Sequence, residues 1–181
     1  MNFINKIRKI KVETLLKIIP FVFLLHELEE WNTLAWHQKH QVNVPDVIDA
    51  DLRTIFILLI IFAFTVVYGS LLLKNRKVTA YILFPLLSFL LYNGVVHFYW
   101  TILFKSYSPG LIFGFFIGVP LTSIVLYRMV TQGLVKKRYA LVSFLIIFFL
   151  FIHVVQLGSE LEAGIANLMI LGKRINECTL Y

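Results

Sequence analysis

Residues 55–73, IFILLIIFAFTVVYGSLLL, are apolar almost throughout and contain no charged side chain. A helix of about 20 such residues is long enough to cross the hydrocarbon core of a bilayer. Four further stretches are apolar over a similar length: Leu15–Trp36, Val78–Phe104, Leu111–Thr131 and Tyr139–Leu157. The sequence therefore predicts an all-α integral membrane bundle of five transmembrane helices, forming a single domain over residues 1–181. Residues 163–171 are too few to span and are expected to extend the fifth helix or lie at the interface.

The composition excludes an ordinary soluble domain. Of the 181 residues, 59% are apolar and 15% are charged, whereas soluble domains have about 45–50% and about 25%. The net charge is +7, but the basic residues lie between the apolar runs, which indicates membrane topology and argues against binding of nucleic acid. Cys178 is the only cysteine, so the chain cannot form an internal disulfide.

Lysine and arginine residues are concentrated on one side of the predicted bundle. They precede the first span, join the second to the third and join the fourth to the fifth: Lys6, Arg8, Lys9, Lys11, Lys17, Lys74, Arg76, Lys77, Lys136, Lys137 and Arg138. The positive-inside rule places these segments in the cytoplasm. The N-terminus is therefore expected to be cytoplasmic and the C-terminus to be outside.

Three glycines begin the fourth apolar stretch at intervals of four residues: Gly110, Gly114 and Gly118. Small residues at this spacing let two helices approach closely within a bilayer. We expect these glycines to pack inside the bundle. The alternative is that they form the contact face of a homodimer.

Ionisable side chains inside apolar spans are costly, and they are therefore candidates for function. The first span contains HELEE at residues 26–30. Because residues three and four apart share a helical face, His26, Glu29 and Glu30 are expected to point together and Glu27 to point away.

The third and fifth spans carry polar faces of the same kind. Asn93 and His97 lie four residues apart in NGVVH, and HVVQLGSE places His153, Gln156 and Glu160 on one stripe. At about 1.5 Å per residue, each of the three span histidines lies about 20–30 Å from the basic residues that precede its helix. The polar faces of the first, third and fifth spans are thus expected to converge on one pocket in the outer half of the bilayer.

Histidines and carboxylates on facing helices are the means by which helical bundles bind metals. The predicted ligands are His26, Glu30, His97 and His153, and the predicted cofactor is a divalent metal, with zinc favoured and iron as the alternative. Zinc with an open position would acidify a bound water, for which Glu29 or Glu30 could act as the general base. Supporting roles are expected for Asn93, Gln156 and Glu160.

The residues HELEE at 26–30, NGVVH at 93–97 and His153 resemble the HXXEE family of small multi-pass membrane proteins from bacteria and archaea. The resemblance implies that His26, Glu29 and Glu30 are the family signature and that the chain lies in the plasma membrane of a prokaryote. It implies no agreed reaction.

The sequence is also similar, more loosely, to the CAAX-type intramembrane proteases, which pair two adjacent glutamates with later histidines. Glu29, Glu30, His97 and His153 could have comparable roles. The chain departs from that family at several points, since no arginine follows Glu30 at the four-residue spacing and Asn93 replaces an aromatic residue.

The favoured prediction is a metal-dependent membrane enzyme, a hydrolase or an oxidoreductase, that acts on a lipid or other apolar substrate. Two alternatives remain open. One is a metal-independent intramembrane hydrolase that uses the glutamates and histidines directly. The other is a non-enzymatic membrane partner or a transporter of metal or protons.

Overall fold

A computed structural model describes residues 10–40 and 49–156, and all regular structure in these ranges is helical. The helices are α1 Val12–Glu29, α2 Leu34–His40, α3 Asp49–Leu72, α4 Arg76–Phe104, a π-helix Leu111–Gly118, α5 Val119–Thr131 and α6 Lys137–Gln156. The segment 163–171, expected to form a short extra element, lies outside the described residues.

The predicted all-helical architecture is confirmed, and three segments are long and apolar enough to cross a membrane: Leu52–Leu72, Arg76–Phe104 and Leu111–Thr131. The predicted bounds of the second, third and fifth spans agree with α3, α4 and α6 to within a few residues, apart from the start of α3. The start of α3 at Asp49 extends that helix over residues that were expected to lie in a loop.

The prediction of one continuous first helix over Leu15–Trp36 is wrong, because α1 ends at Glu29 and α2 begins only at Leu34. The last carbonyls of a helix have no partner within it. Here Nε of Arg53 donates to the Trp31 carbonyl and Nη2 of Arg53 donates to the Asn32 side chain. A cation from a distant part of the chain therefore stabilises the break.

The fourth predicted span is also not a uniform α-helix, since its first eight residues form the π-helix. The π-helix ends at Gly118, two residues before Pro120. Proline has no N–H, and its ring collides with the carbonyl four residues earlier. A local widening of the helix relieves that collision, and π-helical turns of this kind are often found at functional sites.

The packing places the basic residues at one end of the bundle. Arg76, at the start of α4, forms an ion pair with Glu13 at the start of α1. Arg128, in the last turn of α5, donates to the carbonyl of Ile10. Leu16, Leu83 and the other core residues lie next to this end. The polar residues considered below lie toward the opposite end, near the last turns of α1 and α4.

Many large apolar side chains lie on the outside of the bundle. Examples on α3, the π-helix and α6 are more than half exposed: Leu58, Ile61, Phe116, Leu141 and Phe149. Soluble monomers rarely expose continuous apolar surfaces of this extent.

Candidate metal site

Two histidines and one glutamate meet in the interior of the bundle. Nε2 of His97 lies 3.0 Å from Oε1 of Glu30, and Nε2 of His26 lies 3.7 Å from Oε2 of Glu30. The two imidazole rings are 5.0 Å apart between centroids. The exposed fractions of His26, Glu30 and His97 are 3%, 9% and 2%. The first and third spans therefore converge as predicted.

The local sequence explains how three side chains reach one point. His26 and Glu30 are four residues apart on the last turn of α1, and Glu30 is the C-cap residue of that helix. Residues at this spacing lie one above the other on one face. His97 lies toward the far end of α4. Each helix thus presents its ligands at the end remote from the basic residues.

The spacing of the three groups suits a metal ion. One ligand atom from each of His26, Glu30 and His97 lies within 4.8 Å of the others. Donors about 2.1 Å from a tetrahedral zinc are about 3.4 Å apart. His97 lies 3.0 Å from Oε1 of Glu30 and His26 lies 3.7 Å from Oε2, and both distances are close to that value.

A serine fixes the orientation of the His97 ring. The Ser108 hydroxyl donates to the Pro109 carbonyl at 3.3 Å, and its oxygen lies 3.3 Å from Nδ1 of His97. The other ring nitrogen, Nε2, lies 3.0 Å from Oε1 of Glu30. The tautomer in which Nδ1 donates to Ser108 would leave the lone pair of Nε2 for a metal, as a metal-binding histidine requires.

Asn93 contacts the other imidazole, at the ring nitrogen that faces Glu30. Its side-chain amide nitrogen lies 2.8 Å from Nε2 of His26. Asn93 is one turn before His97 on α4 and therefore lies on the same face. The predicted supporting role for Asn93 fits this contact with a candidate ligand.

Two of the predicted small residues make room for the site. A methyl group on Gly110 would lie 2.7 Å from Cε1 of His26 and 2.8 Å from both Oε1 of Glu30 and Cε1 of His97. A methyl group on Gly114 would lie 2.9 Å from Nδ1 of His26. Gly110 and Gly114 therefore pack inside the bundle, directly against the candidate ligands, whereas Gly118 lies next to Phe113 and Val22. The role of the three glycines as a dimer face remains a prediction.

Glu29 has a different environment from that of Glu30. Its two carboxylate oxygens accept hydrogen bonds from the backbone N–H groups of Ile112 and Phe113, at 3.0 and 2.9 Å. These groups belong to the first turn of the π-helix, where N–H groups have no helical partner. Tyr107 also donates to Glu29, and burial followed by that hydrogen bond raises the pKa of Tyr107 above its usual range. Glu29 thus fastens the π-helix to α1.

Glu27, which was expected to point away from the polar face, is buried, and only 2% of its surface is exposed. Its Oε2 atom has no hydrogen-bond partner among the described residues. A second carboxyl group is therefore buried within one helical turn of Glu30.

The contribution of the fifth span stays a prediction. His153 and Gln156 belong to α6, but their side chains lie outside the described part of the chain, and so does Glu160. Two further histidines, His37 and His40, belong to α2. Both pack against aromatic rings at the end of α4, with ring centroids 5.7 Å from Trp100 for His37 and 4.9 Å from Phe104 for His40.

Sequence reasoning missed three residues of the site. Ser108 is fully buried, but a lone serine in a loop gives no signal that it contacts a histidine. Gly110 was noted for its spacing and not for its positive φ of 89°. Gly94, inside NGVVH, lets the π-helix approach, since a methyl group there would lie 2.5 Å from the Gly114 carbonyl oxygen.

The fold and the site together define a helical bundle with a buried group of two histidines and one glutamate. A model of proteins of unknown function with the HXXEE motif matches residues 17–125, more than half of the chain, and the chain belongs to this family. The predicted family is thereby confirmed. The uncharacterized protein YrkK of Bacillus subtilis (strain 168) is 25% identical over 129 residues, which cover 70% of this chain and 82% of that protein. No solved structure matches significantly.

Proposed function

We propose that the chain is an integral membrane enzyme that binds one divalent metal through His26, Glu30 and His97. The reaction that this site supports best is hydrolysis of a lipid or other apolar substrate. The observation that carries the proposal is the meeting of the three buried ligand groups within 4.8 Å of one another.

The membrane assignment has two supports. Three segments have the length and apolarity of a membrane span, and the outer surface of the bundle carries many large apolar side chains. We further propose five spans, with α1 and α6 completing the set, and location in a prokaryotic plasma membrane. The basic end would face the cytoplasm, with the N-terminus on that side and the C-terminus outside. The candidate metal site would then lie in the outer half of the bilayer.

The donor set favours a catalytic metal. Zinc with two histidines and one glutamate is a common catalytic arrangement, in which the fourth position holds water. The same set, with more open positions, is typical of non-haem iron oxygenases. We favour zinc, which would lower the pKa of its water and make it a nucleophile near neutral pH.

The second coordination layer supports the same interpretation. Metal-bound histidines usually donate their second N–H to an oxygen, which fixes the ring. The Ser108 oxygen lies 3.3 Å from Nδ1 of His97 and would receive that hydrogen bond. The other nitrogen, Nε2, then faces the Glu30 carboxylate at 3.0 Å, so that both groups could bind one metal.

The experiment is metal analysis of the full chain, purified without chelators in a mild detergent. Mass spectrometry of the wild type should find about one zinc or iron per chain. His97→Ala and Glu30→Gln should retain less than about a tenth of that amount, because each removes one of only three ligands. His40→Ala is the control, since His40 is a histidine at the same end whose recorded contacts are with Ser106 and aromatic rings.

Two results would contradict the proposal. One is a wild-type protein that holds no stoichiometric metal and takes up none when zinc or iron is added. The other is equal metal content in wild type and in both ligand variants. Either result would favour a metal-independent site in which Glu30 and His97 act as a directly paired acid and base.

A further inference from the structure

A large apolar cavity lies beside the candidate metal site. Its volume is about 450 Å³, and every described residue that lines it is apolar. Helix α3 contributes Leu59, Ala63 and Val66, while Pro85 and Phe89 come from α4 and Ile147 from α6. Some of its lining side chains are 40–54% exposed, among them Leu59, Phe62 and Ile82. The cavity therefore opens on the outer surface of the bundle, where an apolar molecule could enter it from a bilayer.

The cavity adjoins the candidate ligands through two shared side chains. Phe23 and Leu90 line this cavity and also a smaller one of about 30 Å³, which borders His26 and Asn93. The ring centroid of Phe23 lies 6.1 Å from that of His26. A rotation of the Phe23 side chain is thus the smallest movement that would join the large cavity to the metal site.

The volume and the lining identify the chemical class of the occupant. Apolar cavities of this kind exclude water but accept apolar molecules, and a cavity of about 150 Å³ holds the six carbons of benzene. Three times that volume would hold about 18 carbon atoms. A single acyl or similar hydrocarbon chain fits these constraints better than any polar ligand.

We propose that this cavity binds the hydrocarbon chain of the substrate, with the polar end of the substrate reaching His26, Glu30 and His97 past Phe23. The inference rests on the proposed function of the metal site and names its substrate class, an amphiphile with one long chain. Apolar burial would supply the affinity and would hold the reacting group next to the ligands.

The test is photo-crosslinking of the full chain in nanodiscs with a 16-carbon fatty acid that carries a terminal diazirine. We expect saturable labelling of α3 or α4 at cavity residues, displaced by unmodified palmitic acid. Ala63→Trp would fill the cavity, since Ala63 is 3% exposed and lines it. Tryptophan adds nine heavy atoms, and excluding even two methylene groups of the ligand should weaken labelling at least about tenfold. Ile61→Trp, at an outward position 56% exposed on the same helix, should label as wild type does.

Val66→Phe, which narrows the same cavity, should weaken labelling in the same way and provides a second variant if Ala63→Trp does not fold. Labelling that does not saturate, or that is equal in the filled and control variants, would show adventitious bilayer chains only and would overturn the proposal. Absence of labelling, as expected if residues 157–181 of the same chain fill the cavity, would overturn it as well.

Metal content measured on the same samples separates the two proposals. Stoichiometric metal without specific labelling would refute the chain-binding inference and leave the metal site standing. Specific labelling without metal would refute the metal-dependent function and leave the cavity as a binding site for a hydrocarbon chain.

Discussion

Replacing Gly110 by alanine should damage both the fold and metal binding. Gly110 has a φ of 89°, a conformation that costs a residue with a Cβ about 1–2 kcal/mol. The added methyl group would also lie within 2.8 Å of atoms of His26, Glu30 and His97. Overpacking of this kind costs about 1–3 kcal/mol. Gly110→Ala should therefore lower the free energy of unfolding by about 2–5 kcal/mol.

Two other glycines separate the contributions. Gly133 also has a positive φ, 68°, but an added methyl group there would meet nothing within 4 Å. Gly133→Ala should therefore show the backbone cost alone, about 1–2 kcal/mol. Gly69 lies within α3 with open space around it, so Gly69→Ala should be neutral or stabilise by up to about 1 kcal/mol. The difference in unfolding free energy between Gly110→Ala and Gly133→Ala measures the cost of the contact with the candidate ligands.

The assay is unfolding of each purified variant by sodium dodecyl sulfate in mixed micelles, followed by circular dichroism, with metal content measured in parallel. Metal affinity should fall at least about tenfold in Gly110→Ala, since the methyl group displaces ligand side chains, and should be unchanged in Gly133→Ala. If Gly110→Ala and Gly133→Ala lost equal stability and both kept their metal, the close approach of Gly110 to the site would be refuted.

Three further predictions follow from particular contacts. Ser108→Ala should weaken metal binding about 10–100-fold by releasing the His97 ring. The control is Ser106→Ala, since the Ser106 hydroxyl contacts His40, and it should leave the metal affinity unchanged. Equal metal affinities in the two variants would contradict a hydrogen bond donated by His97 to Ser108. Glu29→Gln should lower the unfolding free energy by about 1 kcal/mol, because it weakens the hydrogen bonds to the π-helix, and the metal content should be retained. Loss of metal would contradict this anchoring role. Loss of activity with full metal content and full stability would instead support Glu29 as the general base. When free metal is at 100 times its dissociation constant, adding a chelator should lower the unfolding free energy of the wild type by about 2.7 kcal/mol. The chelator should have no effect on His97→Ala. An equal drop in both proteins would show that the chelator acts elsewhere.

The sequence was sufficient to predict the helices because apolar length is a local property. The apolar runs predicted α4 and α6 to within two residues at each end. The break after Glu29 was missed because it depends on Arg53, which reaches Trp31 from a later helix. No sequence pattern within residues 26–36 predicts the contact with Arg53. The π-helix was missed for a similar reason, since proline in a predicted span indicates a kink without specifying its form.

The candidate site was predicted in part. Helical spacing paired His26 with Glu30 on one helix and Asn93 with His97 on another. In the structure the two pairs meet, since His97 contacts Glu30 and Asn93 contacts His26. Spacing alone could not separate Glu29 from Glu30, because the chain leaves the helix between them. Glu29 turns to the π-helix, whose position depends on the tertiary packing of Gly94 against Gly114.

The most direct test of the central claim is X-ray absorption spectroscopy at the edge of the bound metal. The wild-type spectrum should show two imidazole nitrogens at about 2.0–2.1 Å together with oxygen ligands, and His97→Ala reconstituted with excess metal should show one imidazole fewer. A first coordination sphere with no imidazole, or one that is identical in His97→Ala, would contradict metal binding by His26, Glu30 and His97.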